Sequence, residues 1–263
     1  MRKGTKVWLI VAIIHILVGA GIFTCFMAAN DWNFKDLSTV QYETNTYQHF
    51  GEIKNIVIET STADVSIECA IISAQFAYVE CYEAENATHS VTFEDGTLII
   101  KEIDNRQWHD YIGINFDQPK IVIGLTFQYF DTVTIRTTTG DVEADMLCGK
   151  DIDISVTTGD VELENIHCDN LTTTGSTGDV ELTNVRVKEN LTVERSTGDV
   201  EFEDSDGKNI VVNVDTGDIS GNFLTGKIFD VETDTGDVEV PRSQGYGKCT
   251  IRTSTGDVEI TTD

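Results

Sequence analysis

The glycine of a Thr-Gly-Asp triplet returns at Gly140, Gly159, Gly178, Gly198, Gly217, Gly236 and Gly256, at intervals of 19, 19, 20, 19, 19 and 20 residues. Seven copies at so constant a period specify a stack of like units. Five and seven residues before the glycines stand Ile135 and Val133, Ile154 and Ile152, Val193 and Leu191, Val212 and Ile210. Two and four residues after them stand Val161 and Leu163, Val180 and Leu182, Val200 and Phe202, Val238 and Val240. Apolar residues alternating with polar ones, most of them β-branched, read as half-buried strands. No helical period appears after residue 50.

Each unit is therefore strand, Thr-Gly corner, strand and a short polar return such as Glu164 to Asn170. A unit of 19 or 20 residues cannot bury its apolar face alone, but stacked units share a continuous core. The expected fold is all-β, a parallel, right-handed β-solenoid of seven coils over residues 131–263. Cys249 falls in the inward column with Val133, Ile152 and Ile210. Asn170, Asn190 and Asn209 occupy equivalent positions, which predicts an asparagine ladder at a coil corner.

The same alternation turns acids outward. Stacking makes a column of Asp141, Asp160, Asp179, Asp199, Asp218, Asp237 and Asp257, beside a column of Glu143, Glu162, Glu181, Glu201, Glu239 and Glu259. Neighbours in such a column repel by roughly 1 kcal/mol at about 5 Å in water, less in salt. One compensation is local, since an Asp after Gly can accept backbone N–H bonds at a corner. The other is a face for cations or a polymer, with the Asp column as its interaction surface. Acidic β-rolls, which bind calcium, offer the analogy for such a cation face. Those use glycine-rich nonapeptides, and this repeat is twice as long with one glycine per corner. No other cofactor, no metal-ligand spacing and no catalytic residue is read from the sequence.

The N-terminus is of another kind. Arg2, Lys3 and Lys6 precede an apolar run from Val7 to Ala29, broken only by His15, Thr24 and glycines. As a helix these residues would rise about 35 Å, enough for a hydrocarbon core of about 30 Å. The basic residues before the run and Asp31 after it predict a single-pass anchor in the cell membrane, with the C-terminal domain extracytoplasmic. A cleaved signal peptide is the other reading, but the run is long for one and Phe26 and Met27 fill the small-residue positions before the candidate cleavage sites. The organisation expected is a cytoplasmic tail (1–6), an anchor (7–29), a juxtamembrane stalk (30–50), an irregular β cap (51–130) and the solenoid (131–263).

Acidic residues outnumber basic ones 45 to 18, a net charge of −27, which excludes nucleic acid as a partner. Outside a membrane, disulfides become permissible. Cys148 and Cys168 lie about one coil apart, and Cys69 and Cys81 could bridge neighbouring strands of the cap. The last repeat, Thr255 to Ile260, is followed only by Thr261, Thr262 and Asp263. Open strand edges there predict weak end-to-end self-association.

The cap carries "IVIETSTADVSIE", with a degenerate corner at Thr62-Ala63-Asp64-Val65, then "VTFEDGTLIIKE", turning at Glu94 to Thr97. With "FDTVTIRTTTGDVE" and the repeats that follow, this ordered set resembles the bacterial putative-adhesin family of β-strand-repeat proteins. That family is a domain of unknown function and includes membrane-anchored proteins of Gram-positive envelope-stress loci. The resemblance implies a β-solenoid outside a bacterial membrane and supplies no catalytic set. The leading functional reading is a non-enzymatic envelope module that meets a wall polymer or an envelope protein. The alternatives are a carbohydrate-active β-helix enzyme and a calcium-dependent β-roll. Intervals fixed at 19 or 20 leave no long loops to build a substrate groove, and His167 is the only histidine after residue 109.

Overall fold

The computed structural model describes residues 3–29, 32, 40–70, 76–108, 110, 117–242, 245 and 247–262. The chain divides into two units, Met1–Gln41 with Arg106–Asp117, and Tyr42–Asn105 with Gln118–Asp263. In the first, α1 (Lys3–Ala29) is one helix. Its stretch Val11–Ala29 is long and apolar enough to cross a membrane. Two polar side chains turn back on the helix: His15 Nδ1 lies 2.8 Å from the Val11 carbonyl, and the Thr24 hydroxyl donates to that of Ala20.

In the second unit most of the chain runs as layers, each a strand, a corner and a second strand. From the repeats come β8 (Tyr129–Thr139) with β9 (Val142–Asp145), β10 (Cys148–Thr158) with β11 (Val161–Glu164), and β12 (His167–Thr177) with β13 (Val180–Thr183). Next come β14 (Arg186–Thr197) with the start of β15 (Val200–Thr216), and the remainder of β15 with β16 (Ile219–Phe223). Last in sequence are β17 (Lys227–Thr235) with β18 (Val238–Glu239), and β19 (Gly247–Thr255) with β20 (Val258–Thr262). Successive layers pair in parallel, with Ile152 opposite Val133 and Leu171, and Leu191 opposite Ile210. Ile135, Ile154, Val193 and Val212 are all fully buried, each contributing about 1.5–3 kcal/mol of apolar transfer. Cys249 stands opposite Ile210 with no exposed surface.

Two layers come from residues before 131. β2 (Asn55–Thr60) and β3 (Asp64–Ala70) pair in parallel with β8 and β9, across the degenerate corner. β6 (Thr97–Asp104) and β7 (Lys120–Thr126) pair in parallel with β2 and β3 on the other side. The segment expected to be an irregular cap thus extends the stack, because Ile56, Ile58, Val65 and Ile67 repeat the inward pattern of the later layers. Among the described residues the antiparallel pairings belong to β1 (Tyr42–His49), β4 (Ala77–Ala84) and β5 (Ala87–Glu94): β4 closes on β7, β5 on β6 and on the end of β4, and β1 on β4. Asp95 and Gly96, with φ of 49° and 73°, make the tight hairpin between β5 and β6.

The order of layers departs from the order of the sequence at both ends. β19 lies between β15 and β17, and β20 between β16 and β18. The layer of Gly256, expected outermost, is interior. The open edge belongs to β17 and β18, where Ile228 and Val238 are 54% and 44% exposed. At the other end β6 and β7 lie outside β2 and β3, and the chain then crosses back to form β8.

All six cysteines are free. Cys148 stands opposite Tyr129 and His167, whereas Cys168 stands opposite Gly149 and Val187. One position out of step, the two face opposite sides of the strand. Cys69 is level with Leu125 and Cys81 with Ile121, four residues along β7, so neither expected bridge forms.

Candidate functional site

The corner glycines stack as one column in the order Gly140, Gly159, Gly178, Gly198, Gly217, Gly256, Gly236, each donating its N–H to a threonine carbonyl of the next layer where one follows. The aspartates that follow them form a second column with a defined task. Asp64 Oδ1 accepts from the N–H of Asp141, Asp141 from Asp160, Asp160 from Asp179 and Asp179 from Asp199, at 2.7 to 3.1 Å. Asp199 then accepts from Asp218, Asp218 from Asp257 and Asp257 from Asp237, each at 2.8 Å. Each carboxylate ties its corner to the next by a charge-assisted bond. Asn209, Asn190, Asn170 and Asp151 make a parallel ladder, each amide donating to the next Oδ1 at 2.8 to 3.1 Å. A third ladder joins Asn184, Asn165 and Asp145. Asn165 and Asn184 take φ near +55°, in the left-handed region that asparagine tolerates.

The Glu column stays on the surface: Glu143, Glu162, Glu181 and Glu201 are in register and exposed. Partial burial first, then Glu143 and Glu181, raise the Glu162 carboxyl above its usual 4.5. A raised acid pKa means the folded state holds its proton more firmly than the unfolded chain, so this term adds stability as pH falls and loses it as pH rises through the raised value. Between pH 7 and about 4.5 this contribution of Glu162 is therefore expected to raise stability on acidification, by about 2–4 °C in midpoint for each kcal/mol relieved. Magnesium and calcium are expected to act alike, by screening. Thermal scans at several pH values in either salt check both points. A flat pH response, or a large calcium-specific rise, contradicts them.

On a different face a groove of about 660 Å³ opens. Tyr129, His167, Arg186, Lys188, Lys208 and Lys227 line it, from β8, β12, β14, β15 and β17. Cys168, Val187 and Gly207 form part of its wall. At one end Lys227, 2% exposed, pairs with Asp206 and lies 2.6 Å from the Thr225 hydroxyl. That hydroxyl donates to Asp206 Oδ2 at 2.7 Å, so the buried charges are compensated. Lys188 and Lys208 remain largely in solvent, opposite Asp169 at 3.5 Å and Glu189 at 2.7 Å.

The antiparallel end holds a buried polar cluster. Glu83 is fully buried on β4. Its Oε2 accepts from the His89 N–H at 2.6 Å and lies 2.8 Å from His89 Nδ1. Its Oε1 accepts from Asn45 Nδ2 at 2.8 Å. His89 Nε2 lies 3.1 Å from Thr60 Oγ1. The donor atoms of Cys81, Glu83 and His89 all lie within 4.8 Å of one another.

Residues 53–263, four-fifths of the chain, match the family described as Toastrack DUF4097. The chain belongs to the Toastrack DUF4097 family. Three solved structures are similar to this Toastrack protein at low identity. A "putative adhesin" from Bacteroides fragilis is 17% identical over 84% of this chain and 97% of its own, with a TM-score of 0.42. A "putative cell adhesion protein" from Clostridium sporogenes is 14% identical over 84% and 100%, at 0.40. A "putative lipid binding protein" from Parabacteroides distasonis is 16% identical over 86% and 98%, at 0.45. No curated protein matches the chain.

The Toastrack layers explain what the repeat conceals. Tyr129, Cys148, His167, Arg186 and Asp206 begin successive layers and stack in one column. By composition this stretch is a polar return, and only its alignment column by column on the 19-residue period brings the groove residues together. For the buried cluster the signal is the pair Cys81 and Glu83, two residues apart on one strand face.

Proposed function

We propose that this Toastrack protein is a non-enzymatic, single-pass membrane protein whose layered domain lies outside the cell membrane and binds an anionic envelope polymer. The carrying observation is the groove. In a chain of net charge −27, Arg186, Lys188, Lys208 and the buried, Asp206-paired Lys227 line one concavity with Asp169, and Lys188 and Lys208 reach solvent there. Its lining comes from several successive layers, so it extends along the stack and suits a chain of repeating phosphate or carboxylate groups. The in-register Glu column repels the same polymer elsewhere, which restricts contact to the groove. The apolar helix α1 and the basic residues Lys3 and Lys6 in its first turns support the anchor and its orientation.

The polar cluster does not favour hydrolysis. Thr60, His89 and Glu83 do form a hydroxyl–imidazole–carboxylate chain, but Thr60 is only 8% exposed. Glu102 Oε2 sits 3.4 Å from the Thr60 hydroxyl and accepts the Ser61 N–H.

Full-length protein in detergent is expected to bind poly(glycerol phosphate), with binding weakening as salt rises. Reversing Lys188→Glu and Lys208→Glu together is expected to cut affinity about tenfold or more, roughly 1.4 kcal/mol. Surface plasmon resonance against the polymer and against neutral dextran reads this. Equal binding of both polymers, or an unchanged double variant, overturns the proposal.

A further inference from the structure

We propose that Cys81, Glu83 and His89 form a binding site for a divalent metal ion of the zinc class. Cys81 and Glu83 are two residues apart on β4, so both project from one face, and the turn after Ala84 returns the chain so that β5 brings His89 beside them. The three residues are 0%, 0% and 5% exposed. One thiol, one carboxylate and one imidazole, all within 4.8 Å, are a donor set that suits zinc or cobalt. Calcium and magnesium prefer oxygen ligands alone.

The surroundings fit ligation. Metal-bound histidine usually donates its other ring N–H to an acceptor that fixes its orientation. With Nδ1 on the metal, Nε2 carries the ring proton and donates it to Thr60 Oγ1, 3.1 Å away. Glu83 Oε1 keeps its bond from Asn45, and Oε2, which accepts the His89 N–H, has a second lone pair to offer the ion.

Nδ1 and Oε2 are 2.8 Å apart, so the imidazole and the carboxylate already face one another across the site. Neither the corner aspartates nor the Glu column offers sulfur or nitrogen, so this site is chemically separate from both.

Cobalt added to full-length protein is expected to bind at one equivalent per chain and to give a thiolate-to-cobalt charge-transfer band with tetrahedral ligand-field bands. Cys81→Ser should abolish the charge-transfer band and lower affinity at least tenfold. Asn45→Ala should lower affinity about tenfold while keeping the band. Cys249→Ser, another buried thiol, should leave band and affinity unchanged. Circular dichroism identifies any variant that misfolds, and the wild-type spectrum tests the proposal without variants. No charge-transfer band at saturating cobalt in wild type, or a band that survives in folded Cys81→Ser, overturns it.

Discussion

Gly198→Ala is expected to lower the unfolding midpoint by roughly 10 °C, whereas Gly96→Ala should cost only about 1 kcal/mol. Both glycines hold positive φ, 143° and 73°, so both variants strain the backbone. They differ in what the new methyl group meets. At Gly96 the nearest atom is 3.7 Å away, on the flexible Lys54 side chain. At Gly198 a Cβ would stand 2.1 Å from the Gly178 carbonyl oxygen and 2.6 Å from its carbon. Neither backbone atom can retreat without parting the two layers, whose corners are joined by the bond from Asp199 N to Asp179 Oδ1 at 2.7 Å. Overpacking of this kind costs about 1–3 kcal/mol beyond the strain. Thermal unfolding of the two variants side by side decides the matter. Equal losses would show that the corner glycines serve local conformation alone and not the stacking of layers.

This column is where the sequence is most legible, because a steric requirement repeated in every layer leaves one residue type at one period. Other features repeat less strictly and are harder to read. Leu191, Val193 and Arg195 alternate, which by pattern turns Arg195 inward, where it is 4% exposed. The column accommodates it because Gly175, directly opposite, has no side chain: a Cβ there would meet Arg195 Nη1 at 2.9 Å. Burial pulls the guanidinium down to about 10, and its Nε and Nη2 have no hydrogen-bond partner among the described residues. A pattern of apolar periods carries no information about such a pairing of large with absent. The second corner hides for a related reason. Asn165 and Asn184 hold it, but Met146 and Asp204 take the same positive φ at the equivalent positions, so no single letter marks it. The early layers are obscured by Ala63, which replaces the corner glycine, and by the antiparallel strands that interrupt β2–β3 and β6–β7.

Layer order is the feature least available to the sequence, for a physical reason: near-identical repeats present near-identical faces, so any layer can pair with any other in register. Two valines separate the alternatives. Val258 is 1% exposed, between Ile219 and Val238, while Val238 is 44% exposed on the outermost layer. Val258→Asp would bury a charge with no partner, beside a carboxylate column that adds repulsion. That is expected to cost about 3–5 kcal/mol and to lower the midpoint by 10 °C or more. Val238→Asp places its charge largely in water and should stay within about 0.5 kcal/mol. Stacking in sequence order would reverse the two, since Val238 would then be enclosed by the layers of Gly217 and Gly256, and Val258 would lie at the end. Denaturant titration of both variants distinguishes the arrangements. A larger loss in Val238→Asp would place the Gly256 layer outermost and reject the interleaved order; a larger loss in Val258→Asp fixes β19 and β20 inside the stack, with β17 and β18 as its open edge.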